Sequence, residues 1–146
     1  MEEKAKGDGA VSVVKNKYDV YETVKHAVGL ISGFEKFNEN TGILIKPSIA
    51  FPAYPYQAAT TSPEIIKAVI ELLLENGIKK DSIVLGERSI KNEEFEISVL
   101  KSGINKVCDN YGIKILDISK SEFEEIEFEG CKFKIFRECH RRKRAY

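Results

Sequence analysis

The pattern of apolar and polar positions changes period several times along the chain, and the changes divide it into short elements. "AVSVVK" (10–15) is a compact apolar run and predicts a strand. In "DVYETVKHAVGLIS" (19–32), Val20, Val24, Ala27, Val28 and Ile31 recur at helical spacing, Asp19 can cap the first turn and Gly33 can stop the helix. "GILIKP" (42–47) is β-branched and ended by Pro47, the mark of a buried strand. The next helix is the best signalled: Ser62 as cap, Pro63 at the first helical position and Glu64 in the positively polarised first turn. Its body, Ile65 to Leu74, is apolar around most of its circumference, which predicts packing on several sides. Gly77 is the expected left-handed stop.

"SIVLGE" (82–87) predicts the following strand, so strand, helix and strand form a crossover unit of the parallel, right-handed kind. Helices around 92–102 and 103–111 come next, then a strand "IKILDI" (113–118). "EIEFEG" and "CKFKIF" alternate around Gly130 and predict a hairpin. Strands alternating with helices imply an α/β fold, a layered sandwich with a mainly parallel sheet flanked by helices. The length of 146 residues suits a single α/β domain, with 1–9 as a flexible terminus and 137–146 as a basic tail expected to be poorly ordered.

In a parallel sheet, ligands bind at the carboxyl ends of the strands. The segment 47–62 leaves one such end and "GERS" (86–89) leaves another, so the two loops face each other if their strands are neighbours. Thr60, Thr61 and Ser62 lie at a helix N-terminus, where free N–H groups and hydroxyls suit phosphate or carboxylate, and Lys46 can supply counter-charge. The same cluster would also serve as a helix cap alone. Glu87 closes its strand and is the acid/base candidate, or else a capping or ion-pairing group. Asp117 ends another strand, and strand order decides whether the two carboxylates converge. Phe51, Tyr54 and Tyr56, between Pro52 and Pro55, either line a ligand pocket or interface or fold over the edge of the core.

Composition narrows the partners. Lys plus Arg and Asp plus Glu are both 23, so no global field selects nucleic acid or an anionic membrane. The basic run Arg141 to Arg144 is local and follows five glutamates in 122–129. No apolar stretch is long enough for a membrane span, and the start "MEEKAKGDGA" carries no secretory core, so a cytoplasmic location is expected. Cys108, Cys131 and Cys139 are too few and too irregularly spaced for a disulfide framework or a four-cysteine cluster, and no zinc pattern surrounds His26 or His140. No metal site is predicted, and no cofactor can be named.

The string "ILIKPSIAFP…ATTSPEIIKAVIELLLENGIKKDSIVLGERS" resembles the domain of unknown function 362 family. The resemblance rests on Lys46 and Pro47, on Ala59, Thr60, Thr61, Pro63 and Glu64, on Gly77, and on Gly86 with Glu87, and covers about residues 10–120. Ser48 stands where that family usually has Asn, and Ser62 where it usually has Asp; capping survives, but a metal-binding carboxylate at 62 is absent. The family commonly continues into a ferredoxin-like region with cysteine-bound iron–sulfur clusters, so this chain is expected to be a short or truncated member. A looser likeness of layout is to the N-terminal domain of the nickel-pincer lactate racemase family. Two readings of function follow: a small anionic ligand on loops 47–62 and 86–90, held by Lys46, Thr60, Thr61 and Ser62, or a non-catalytic module for homo-oligomerisation or partner binding.

Overall fold

The structure is a computed structural model that describes residues 9–16, 19–88, 90, 94–121 and, as backbone, 123–127 and 135–139. Helix α1 (Val20–Leu30) starts where Asp19 accepts the Glu22 backbone N–H. Strand β1 (Ile43–Ile45) leads through a long loop to α2 (Pro63–Glu75), then to β2 (Ile83–Glu87). Two short helices, α3 (Phe95–Ser102) and α4 (Ile104–Tyr111), are separated by Gly103 in the left-handed region at φ +74°. Strand β3 (Lys114–Asp117) follows, and β4 (Phe123–Glu127) pairs antiparallel with β5 (Ile135–Cys139).

The sheet has the order β1-β2-β3 and is parallel throughout, with helices packed beside it: an α/β fold. Both crossovers step in the same direction, so two right-handed connections put α2 and the α3–α4 pair on one face. Packing of α2 against α4 and of α4 against β3 agrees with that. Registers Ile43↔Ile83, Ile45↔Leu85 and Leu85↔Ile115 align one apolar row of the sheet beneath the helices. That row meets Ile66, Ile70 and Leu73 of α2, Phe95 and Val99 of α3, and Ile104 and Cys108 of α4. All five residues of β2 are buried, as expected of the central strand.

Most predicted elements form where their caps lie. Ser62 accepts the Glu64 N–H, Pro63 opens α2, and Gly77 adopts φ +84° after its end. The predicted strand at 10–15 does not form: Val11 and Val13 are exposed and pair with no strand among the described residues. β-propensity alone does not hold a strand without a partner ladder. The hairpin register, Phe123↔Cys139 to Glu127↔Ile135, centres on position 131, one residue from the predicted Gly130. Residues 137–139 of the expected tail lie in β5, whereas 1–8, 128–134 and 140–146 lie outside the described residues. No helix among the described residues is long and apolar enough to cross a membrane.

Candidate functional site

The three parallel strands end together, and each end carries a charge. Lys46 follows β1, Glu87 is the last residue of β2 and Asp117 the last of β3. Side chains alternate along a strand, so Glu87 leaves on the same face as Leu85, the helix-covered one. It is accordingly only 4% exposed. A buried carboxylate needs partners, and Glu87 has them: Oε2 accepts from Lys46 Nζ at 2.7 Å and Oε1 from the Arg88 backbone N–H at 2.7 Å. The Lys46 side chain is 62% exposed. Its ammonium is therefore tethered at one proton and keeps two for other acceptors.

Asp117 lies directly opposite Glu87 in the register. The two carboxylates have separate partners. Asp117 Oδ1 accepts from the Ser119 backbone N–H at 3.0 Å and from Ser119 Oγ at 2.6 Å, and Oδ2 lies 3.3 Å from Lys120 Nζ. Burial pushes the Asp117 carboxyl up, but the Ser119 and Lys120 contacts outweigh it and hold the group below the usual carboxylate range. Lys120 also donates to Glu96 Oε1 at 2.9 Å, which raises the lysine and lowers Glu96 and ties the end of β3 to the start of α3.

The loop after β1 is closed at its base. Ser48 N–H donates to Thr61 Oγ1 at 2.8 Å, and Thr61 N–H returns a bond to the Ser48 carbonyl at 3.0 Å. Residues 48–61 thus form an Ω-like loop whose ends are locked together. Ile49 and Ala53 are its buried anchors. The loop after β2 meets it directly, through Ile90 N–H on the Ala50 carbonyl at 2.7 Å. Strand adjacency therefore does bring the two predicted loops together.

The aromatic residues point the other way from the core reading. Phe51, Tyr54 and Tyr56 are all exposed, because Ile49 and Ala53 take the inward positions. Tyr54 and Tyr56 stack with centroids 5.5 Å apart, and Lys101 Nζ of α3 sits 5.7 Å from the Tyr54 ring centre. The turn beneath them is fixed: Tyr54 N–H donates to Gln57 Oε1 at 2.7 Å, and Ala58 sits at φ +53°.

The predicted site residues therefore divide into two groups. Lys46 and Glu87 are brought into contact across 41 positions of sequence. Thr61 and Ser62 use their hydroxyl oxygens locally, as acceptors for Ser48 N–H and Glu64 N–H, and each keeps its hydroxyl proton. Thr60 Oγ1 is buried and has no hydrogen-bond partner among the described residues. The Ser119–Lys120–Glu96 set was not predicted; the local signal was "DISK" (117–120), an Asp with hydroxyl and base two and three residues on, the pattern of an Asx turn. Among the described residues, no group of three or more His, Cys, Asp or Glu is arranged to hold a metal ion.

Comparison with curated proteins and with solved structures finds no match. A family model does match, over residues 43–142, which is more than half of the chain and takes in all three strand ends and the loop between β1 and α2. The chain belongs to the family described as Domain of unknown function (DUF362).

Proposed function

We propose that the carboxyl edge of the parallel sheet binds a small anionic ligand, a phosphate or carboxylate group, between Lys46 and the N-terminus of α2. The observation that carries this reading is the state of Lys46: pinned by a buried carboxylate at 2.7 Å, yet with a side chain that is 62% exposed. A lysine held in this way loses less side-chain freedom when it takes a second acceptor. The Ser48–Thr61 closure supports the reading, since it fastens the exit of β1 to the residue just before the α2 cap. The buried Thr60 hydroxyl supports it further, because an unsatisfied buried hydroxyl costs about 1–3 kcal/mol and a bound anion would take its proton. Thr61 and Ser62 contribute hydroxyl protons, and Ser62 caps the helix.

Within this reading Glu87 is first the anchor of Lys46. Its two oxygens are both engaged, so acid/base work would require Lys46 to move aside when ligand arrives. The alternative, a module for self-association or partner binding, is favoured by the exposed aliphatic residues Ile97 and Leu100 on α3.

A thermal-shift titration with inorganic phosphate and small carboxylates tests the anion reading. A ligand at about a hundred times its dissociation constant stabilises by about 2.7 kcal/mol. The expected result is a rise in melting temperature with one anion class, lost in Lys46→Met and in Thr60→Val. Equal shifts in the parent and both variants would overturn it.

A further inference from the structure

We propose that α3 is a self-association surface, paired with α3 of a second copy of this chain about a two-fold axis. The proposal is independent of the anion reading, since neither Lys46 nor Glu87 takes part.

The inward face of α3 is Phe95, Ser98, Val99 and Ser102, all buried. The opposite face is Glu96, Ile97, Leu100 and Lys101, which share an arc of roughly 140° at 100° per residue. An outward helix face is ordinarily polar. This one carries two aliphatics one turn apart, with Ile97 38% and Leu100 64% exposed. An acid stands before them and a base after them.

That order is self-complementary. In an antiparallel crossing centred between Ser98 and Val99, Ile97 of one copy meets Leu100 of the other, and Glu96 of one, whose Oε1 already accepts from Lys120 of its own chain at 2.9 Å, offers Oε2 to Lys101 of the other. Each contact occurs twice, as an isologous pair requires. A heterologous partner would not need this symmetry.

Area and charge agree with the assignment. Lys101 lies over Tyr54, and Tyr54 stacks on Tyr56, which is 82% exposed, so the aliphatic face runs into the aromatic loop. Ile97, Leu100, Tyr54 and Tyr56 together offer on the order of 400 Å² of exposed apolar side chain. Stable interfaces begin at about 600 Å² per partner, and the flanking charged stems supply the difference. The formal net charge of +0 removes long-range repulsion between copies. The Gln57-fixed turn and Pro55 hold the rings in place, so little ordering is left for association.

The test is size-exclusion chromatography with light scattering across the micromolar range, with circular dichroism as a check of folding. The parent chain is expected at twice its 16.5 kDa mass. Leu100→Glu and Ile97→Glu, both at exposed positions, are expected to give folded monomers. Lys101→Glu is expected to weaken the dimer about tenfold, and the double exchange Glu96→Lys with Lys101→Glu to restore it. A parent that stays monomeric overturns the proposal and leaves the face to a partner of other sequence. A dimer that survives both glutamate substitutions overturns it in favour of another surface, and a double exchange that restores nothing overturns the antiparallel pairing.

Discussion

Lys46→Met keeps the lysine stem and removes only the ammonium. Glu87, 4% exposed, then retains a single partner, the Arg88 N–H at 2.7 Å. Breaking a fully buried ion pair costs about 3–5 kcal/mol, whereas an exposed pair contributes about 0–1 kcal/mol. This pair lies between those limits, with a buried acid and a base that is 62% exposed. A loss of about 2 kcal/mol is therefore expected. Glu87→Gln keeps the shape and an acceptor for Arg88 N–H and releases Lys46 to water, so it should cost about 1 kcal/mol. The double variant strands no charge in the interior. It should lose about 1–1.5 kcal/mol rather than the sum of the two, a coupling of about 1.5–2 kcal/mol. The assay is urea unfolding followed by far-UV circular dichroism, since the chain has no Trp. With a slope of about 1–3 kcal/mol/M, a loss of 2 kcal/mol moves the midpoint by about 1 M. If the two single effects simply add to within about 0.5 kcal/mol, Glu87 does not hold Lys46 and the site argument fails.

Three further outcomes follow from the same packing. Tyr111 donates to Glu71 at 2.5 Å, and that bond pushes its phenol up to about 12 from an ordinary 10.0, with burial and the Glu71 charge acting in the same direction. A folded-state value above the unfolded one means that the contribution is complete below pH 10 and lost as pH rises through 12; Tyr111→Phe should cost about 0.5–1 kcal/mol at neutral pH and remove one late-titrating tyrosine from the ultraviolet titration. Burial, and then the neighbouring Asp109, push the Cys108 thiol up to about 11. In a chain with Cys131 and Cys139 changed to Ser, a thiol reagent should therefore label Cys108 only as fast as the protein opens, and rapid labelling of the native state would contradict its burial. At Gly86 an added Cβ would stand 3.0 Å from Leu44 Cδ1 and 3.3 Å from Ile118; Leu44 is exposed and can swing aside, so thermal melts should place Gly86→Ala within about 1 kcal/mol of the parent, while Gly86→Val should lose about 1–3 kcal/mol.

Legibility in the sequence followed the range of the interactions concerned. Asp19, Ser62, Pro63 and Gly77 act within a few residues, and the helix limits they set are those observed; α1, however, ends at Leu30 rather than at the expected Gly33 stop, and α3 begins at Phe95 rather than near 92. The strand expected at 10–15 depended on a partner that no local pattern names. At the site, Lys46 and Glu87 were both visible as strand-end residues, but their contact spans 41 positions and follows from β1 lying beside β2. Asp117 was visible as a second carboxylate; its ties to Ser119 and Lys120 are local to "DISK", whereas the reach of Lys120 to Glu96 arises from where α3 packs, which periodicity does not encode. The aromatic loop was read either as lining a pocket or interface or as folding over the edge of the core; Ile49 and the small Ala53 occupy the inward sites and leave the rings outside. The family resemblance was legible because the residues that carried it, Lys46, Pro47, Pro63, Gly77 and Glu87 among them, are strand ends and caps of the β1–α2–β2 unit.

The most direct test of the anion site is an amide chemical-shift titration of ¹⁵N-labelled protein with inorganic phosphate. The account predicts saturable shifts confined to Lys46, Ser48, Thr60, Thr61, Ser62, Glu64 and residues 86–88, absent in Lys46→Met. Shifts confined to the basic run Arg141 to Arg144, or none at all, would contradict it.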